Sequence, residues 1–188
     1  MKSITVPLSK KSARVIVRPL EKTDYDNWVQ AHSCLRPAQN EWDETNWAAS
    51  QLTKQKFNEL LKKEKKQRLA DHFYSYGIFR IDDGVLLGSV NLMDVSRGIF
   101  NNAYLGYRIF NIYWAQGYAQ EACNCALSIA FKNLKLHRVE AGISPRNKKS
   151  IRTARGLNMR YEGLSKRRLF FNKKWEDMMI FALTKEEY

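Results

Sequence analysis

The stretch Tyr113-Trp114-Ala115-Gln116-Gly117-Tyr118-Ala119-Gln120-Glu121-Ala122 constrains this chain more than any other. It follows a strand-like run and opens a strongly amphipathic helix. From Ala119 onward the apolar residues fall at 119, 122, 123, 126, 127 and 130, along one face of a 3.6-residue period. Glu121, Asn124, Ser128 and Lys132 take the other face. A glycine and small residues at such a junction let backbone N–H groups close on a phosphate, and the helix dipole adds a favourable field. The pattern suits a diphosphate-bearing cofactor. It also suits a turn that does no more than start a helix.

Around this junction the chain alternates strand and helix signals. Val15 to Leu20 is β-branched and alternating, and Thr23 or Asp24 caps a short helix reaching about Cys34. Leu35 to Glu44 reads as a polar and aromatic loop, and a second helix is expected from about Thr45 to Leu69. Tyr74–Ile81 and Val85–Leu92 flank Asp82-Asp83-Gly84, a hairpin signal in which glycine supplies positive φ. Asn102–Phe110 is the strand before the glycine junction, whose helix runs to about Asn133. His137–Ile143 is a further strand, and Asn147 caps a helix ending near Gly156. The chain closes on a hairpin, Lys166–Phe171 and Trp175–Leu183, about an Asn172-Lys173-Lys174 turn. The expected class is α/β (α+β): a mixed, mostly antiparallel twisted sheet of about seven strands flanked by about four helices, in one domain over residues 1–188.

The net charge of +13 narrows the partners. Such a surface attracts polyanions: nucleic acid, a ribosomal surface, an acidic protein or a phosphorylated cofactor. Much of the charge lies between Lys54 and Arg68, which also reads as the solvated face of a helix. No run approaches the roughly 20 apolar residues a bilayer span requires, and Met1-Lys2-Ser3-Ile4 lacks a secretion-signal pattern, so no membrane partner is expected. Cys34, Cys123 and Cys125 form no CxxC pair and read as reduced thiols of a cytoplasmic protein; three isolated histidines suggest no metal site.

Several fragments, in order, resemble one family. Trp114-Ala115-Gln116-Gly117-Tyr118-Ala119 is similar to the acetyl-CoA signature Arg/Gln-x-x-Gly-x-Gly/Ala of the GNAT N-acetyltransferases, with Trp114 in place of Arg or Gln. Its wording, together with Gly106-Tyr107, His137-Arg138-Val139, Asn147-x-x-Ser150, Tyr161-Glu162-Gly163 and Trp175-Glu176-Asp177, resembles the RimJ/RimL branch, which acetylates ribosomal-protein N-termini. Val95-Ser96-Arg97-Gly98 and Tyr104-Leu105-Gly106-Tyr107 look most like the ribosomal-protein-alanine type. Where the family has Leu-Gly-Phe, this chain has Leu157-Asn158-Met159. Asparagine is the residue that best replaces glycine at positive φ, so the turn should persist, with Met159 filling a Phe-sized slot imperfectly.

The resemblance implies direct attack of an amine on the thioester of acetyl-CoA, with no metal. Trp114, Ala115, Gln116, Gly117, Tyr118 and Ala119 would surround the pyrophosphate, and Tyr107, Arg108 and Ile109 would run beside the pantetheine arm. Asn147 and Ser150 match positions near the thiol; both also suit a helix N-terminus. Lys148, Lys149, Arg152 and Arg155 read either as partners of the adenosine phosphates or as plain surface charge. The proton acceptor stays open among Glu41, Asp43, Glu44, Asp94 and Glu140, and Tyr104 is a candidate donor to the thiolate. Trp42, Trp47 and Tyr25 read as walls of the acceptor pocket or as core. The implied acceptor is the N-terminal α-amine of Ala or Ser on a ribosomal protein, met on the ribosome or its assembly particle, with ribosomal RNA drawn to the basic surface. Such an enzyme would be a cytoplasmic monomer or homodimer. A polyamine, aminoglycoside or related amine is the alternative acceptor, and a non-catalytic basic RNA-binding or regulatory domain is the alternative role.

Overall fold

The computed structural model describes residues 9–188, so Met1–Ile4 lies outside the described residues. In chain order the elements are β1 (Lys10–Lys11), β2 (Val15–Arg18), α1 (Tyr25–Ser33), α2 (Lys54–Leu69), β3 (Tyr74–Arg80), β4 (Leu86–Ser96) and β5 (Asn102–Ile109). Then follow α3 (Tyr118–Ser128), β6 (Arg138–Ile143), α4 (Lys148–Gly156), β7 (Arg160–Phe171) and β8 (Lys174–Thr184). The eight strands form one sheet in the order β1-β2-β3-β4-β5-β6-β8-β7. The strand beyond the expected seven is the two-residue β1. Every neighbouring pair is antiparallel except β5 and β6. These two need a crossover to run parallel, and α3 supplies it.

Alternation along the central strands sorts side chains to the two faces of the sheet. Tyr74, Tyr76, Ile78, Val90, Leu92, Leu105 and Val139 pack on the apolar stripe of α3 and on α4, in a cluster with Ala122, Cys123, Ala126, Leu127 and Ile151. The predicted period of α3 thus marks its buried side. On the other face Phe79, Leu86 and Phe110 meet Trp28 of α1 and Phe57 of α2.

The turns are those the sequence requires. Gly84 has φ 71° between β3 and β4. Asn172 and Lys173, at φ 48° and 62°, close the two-residue turn between β7 and β8. Both central residues have positive φ, the condition for a type I′ hairpin turn. Asn158 takes φ 58°, and Met159 after it is 4% exposed, so the turn persists and the slot is filled.

Two element starts differ from expectation: β7 begins at Arg160, six residues before the predicted Lys166, and α2 begins later than predicted. The second helix begins at Lys54, where Thr53 Oγ1 accepts the N–H of Lys56 at 3.3 Å, and not at Thr45. Before it, the loop spends its backbone on α1: Asn46 Oδ1 accepts the N–H of Leu35 at 2.7 Å, and the Trp47 N–H donates to His32 O at 3.0 Å. A chain so tied cannot close helical i→i−4 bonds. Asp24 stands at the N-cap of α1 as predicted, but its carboxylate makes no capping bond to that helix and takes both guanidinium nitrogens of Arg18 at 2.7 Å each.

Candidate active site

Gly117 stands at the N-terminus of α3 in the left-handed conformation, φ 82°, and Ala115 two residues earlier has φ 62°. This doubled reversal turns the backbone N–H groups of Gln116, Gly117, Tyr118 and Ala119 away from the chain; among the described residues they meet no hydrogen-bond acceptor. Unsatisfied donors at the positive end of a helix are what an anion requires. A Cβ at Gly117 would lie 3.2 Å from Arg14 Nη2, so the backbone is bare on that side by necessity. Arg14 braces the turn: Nη2 donates to Gln116 O at 2.9 Å, Nε donates to Glu121 Oε1 at 2.6 Å, and the guanidinium lies 4.8 Å from the Tyr118 ring centre. Burial pushes the Glu121 carboxyl up, but its hydrogen bonds from Arg14 and Ser12 outweigh that and hold it below its ordinary value. Trp114, which replaces the family's Arg or Gln, donates from Nε1 to Ile109 O at 2.6 Å, and Lys149 Nζ sits 3.8 Å from its ring centre. It pins the junction to β5.

Beside this turn the sheet opens. β5 and β6 pair only at Asn102–Arg138, Ala103–Val139 and Tyr104–Glu140, after which the strands part. From Leu105 onward the edge of β5 facing β6 therefore has no partner strand, and short of Ile109 O, taken by Trp114, it is open to an extended amide-bearing ligand. A cavity of about 220 Å³ occupies the gap. Its walls are Leu105, Gly106 and Tyr107 of β5, Ala141 and Ile143 of β6, Asn147 and Ser150 of α4, and Leu169, Phe171, Glu176 and Met178 of the last hairpin; Trp42 borders it from the loop before α2.

The predicted residues distribute unevenly around this gap. Asn147 is both a cap and a lining residue: its Oδ1 accepts the Ser150 N–H at 3.1 Å. The Tyr107 hydroxyl is buried without a hydrogen-bond partner, beside Ser150 and Thr153, and burial raises its pKa. Arg108 sends its side chain to the opposite face, 2.6 Å from Glu44, and its backbone pairs with Ser89 of β4, so it does not line the gap. Tyr104 and Glu140 form the last pair before the strands part; the Tyr104 hydroxyl accepts from Arg168 at 2.7 Å, and Glu140 accepts from Arg138 at 2.8 Å.

The loop carboxylates are each engaged by a partner. Glu41 pairs with Arg146 at 2.7 Å, and Asp43 accepts from Gln39 N at 2.9 Å and Asn111 Nδ2 at 3.0 Å. Asp94 is exposed on β4, 3.7 Å from His72 and outside the cavity wall. Of the three aromatics predicted as pocket walls, Trp42 alone lines the gap. Tyr25 belongs to the core, donating to Leu52 O at 2.7 Å, and Trp47 lines a second cavity of about 340 Å³ between α2 and strands β3 to β5. Lys148, Arg152 and Arg155 lie exposed along α4.

Two residues of the gap had no predicted role. Arg146 joins Glu41 at 2.7 Å to Glu176 at 2.9 Å, and its guanidinium lies 5.6 Å from the Trp42 ring centre. The hydrogen bond from Lys174, followed by that from Arg146, holds the Glu176 carboxyl below its ordinary range. The only sequence signal for Glu176 was its place in Trp175-Glu176-Asp177; nothing in the sequence brought Glu41, Arg146 and Glu176 together.

Residues 14–160 match the acetyltransferase (GNAT) domain model. The chain belongs to the GNAT acetyltransferase family. As a GNAT enzyme it is an N-acetyltransferase, and its acetyl donor is acetyl-CoA. Among relatives, it is 30% identical over 173 residues to the "Probable N-acetyltransferase YjcK" of Bacillus subtilis, covering 92% of this chain and 95% of that protein. It is 32% identical over 116 residues to the [ribosomal protein uS5]-alanine N-acetyltransferase of Escherichia coli, covering 62% of this chain and 59% of that enzyme. The structure of Mycobacterium smegmatis RimJ, in complex with CoA-disulfide, shares the fold with a TM-score of 0.76 at 23% identity, over 92% of this chain and 83% of that one. The bare turn at Gly117 and the parted strands fit such a donor: one offers free N–H groups to phosphate, the other an unpaired strand edge. Among the described residues no group of three His, Cys, Asp or Glu side chains is placed to hold a metal ion, and no helix is long and apolar enough to cross a membrane.

Proposed function

We propose that this GNAT enzyme acetylates the N-terminal α-amine of a ribosomal protein beginning with Ala or Ser. The observation that carries the reading is the shape and charge of the gap: about 220 Å³, walled by Leu105, Ile143, Leu169 and Phe171, with Glu176 as its one lining carboxylate. That volume takes a small first side chain, and one carboxylate matches one α-ammonium. A polyamine would need several. The relationship to the uS5-alanine enzyme supports the same acceptor class, as does a net charge of +13, which suits work on an RNA-rich particle.

The residues divide the work by their protonation. Gln116, Gly117, Tyr118 and Ala119 hold the pyrophosphate through backbone N–H groups, and Tyr107, Arg108 and Ile109 align the pantetheine amides. Glu176, kept ionised by Lys174 and Arg146, is a poor base and receives the ammonium. An α-amine has a pKa of about 7.7–8.0, so a neutral fraction exists near pH 7 and a proton acceptor working through water suffices. Glu41, paired with the gap-lining Arg146, and Glu140, in the last residue pair before the strands part, are the candidates for that role. Tyr107, held protonated by burial, and Ser150 donate toward the departing thiolate.

The test is thiol release from acetyl-CoA with peptides beginning with Ala or Ser, run beside spermidine and an aminoglycoside. The Ala and Ser peptides are expected to turn over fastest. Glu176→Gln should raise KM for the peptide with less effect on kcat. Faster turnover of spermidine than of any peptide would overturn the assignment.

A further inference from the structure

The hairpin of β7 and β8 has two faces, and the active site uses one. Leu169, Phe171, Glu176 and Met178 face the gap. By alternation Phe170 and Trp175 point the other way. They are register partners, 60% and 61% exposed, with ring centres 5.5 Å apart and planes inclined by 56°. An aromatic pair so exposed at a strand edge is a cost unless something covers it.

The surrounding charge says what covers it. A register shift between Ser165 and Leu169 throws Lys166, Arg167 and Arg168 outward as a bulge, with Arg167 at φ 50°. Lys173 and Lys174 stand at the turn beside the rings. Arg168 is held on the Tyr104 hydroxyl and Lys174 on Glu176; Asp177 accepts the main-chain N–H of Arg167 at 2.8 Å, while among the described residues the side-chain charges of Lys166, Arg167 and Lys173 form no ion pair. A second copy of the same hairpin would set these cations against their own kind. A polyanion carrying flat, stackable groups satisfies both features at once.

We propose that the outer face of this hairpin binds single-stranded RNA, its bases stacking on Phe170 and Trp175 and its phosphates meeting Lys166, Arg167 and Lys173. Open aromatic rings flanked by cations are the means by which single strands are held without base-specific hydrogen bonds. Because the ligand sits opposite the gap, the RNA and an acetyl acceptor bind together. The proposal is independent of the acceptor's identity.

The experiment is fluorescence anisotropy of a labelled 12-mer oligouridine with the full chain, beside a duplex of equal length and across a salt series. The single strand is expected to bind, with affinity falling as salt rises by a log–log slope of about −2 for three phosphate contacts. Phe170→Ala with Trp175→Ala should weaken binding about ten-fold or more while leaving the salt slope unchanged. Lys166→Gln, Arg167→Gln and Lys173→Gln together should flatten the slope. Calorimetric CoA binding should survive in both variants, which establishes that each is folded. Equal affinity of the aromatic variant and the parent would overturn the proposal, as would a duplex bound as tightly as the single strand. So would a dimer of the parent that the aromatic variant dissolves, since the rings would then be a self-association surface.

Discussion

Gly117 shows how much one residue decides. Its φ of 82° lies where side chains are strained, and its missing Cβ leaves room for Arg14 Nη2. Gly117→Val places a β-branched residue in that conformation, at a cost of about 1–3 kcal/mol, and pushes the Arg14 brace aside. Calorimetric titration with CoA is expected to show affinity down at least about ten-fold, because the N–H groups proposed to hold the pyrophosphate turn with the backbone. Gly117→Ala should lose less. The positions legible beforehand were those whose role is local. Gly117, Asn158 and the Asn172-Lys173 turn each announce a backbone angle that their neighbours in sequence already require. Trp114 was not legible, because its partners Ile109 O and Lys149 belong to separate elements.

At the scale of elements, α4 joins stability to catalysis through Asn147, whose side chain both closes the helix and lines the gap. Asn147→Ala loses a cap worth about 1 kcal/mol and should lower Tm by about 2–4 °C in a chain of this size. Asn147→Asp restores an oxygen acceptor at the cap and should recover that Tm. It replaces the amide of a gap-lining residue with a carboxylate, so kcat/KM for peptide acetylation should stay low. Thermal scans paired with thiol-release kinetics separate the two roles. The strand and helix pattern from β2 to β8 was readable because period and turn chemistry agree along each segment. The start of α2 was not: Asn46 and Trp47 are only mildly unfavourable in a helix, and what stops it is their bonding to Leu35 and His32. The Glu41–Arg146–Glu176 array was hidden for the same reason, since it is made by three separate segments meeting.

For the whole molecule, the layer beneath α1 and α2 contains a titratable group that sets a lower pH limit. His32 is 8% exposed among Trp28, Trp47 and Phe110, with Nδ1 2.8 Å from Trp28 O. Burial drives its pKa below the ordinary histidine value, against the opposing bond to Trp28 O and the charge of Glu44; Arg108 adds to the lowering. The folded protein therefore holds His32 neutral while the unfolded chain takes up a proton below about pH 6.5. Stability should fall as pH drops through that value and level off below the folded pKa. Urea midpoints at pH 5.5 and 7.5 check this: the parent should lose more between them than His32→Phe does.

The brief union of β5 with β6 has a mechanical consequence. Three residue pairs join one half of the sheet, β1 to β5, to the other, β6 to β8. In the binding mode proposed above, the pantetheine amides of an acyl donor bond along this seam. On that reading each round of turnover unfastens and refastens the middle of the sheet.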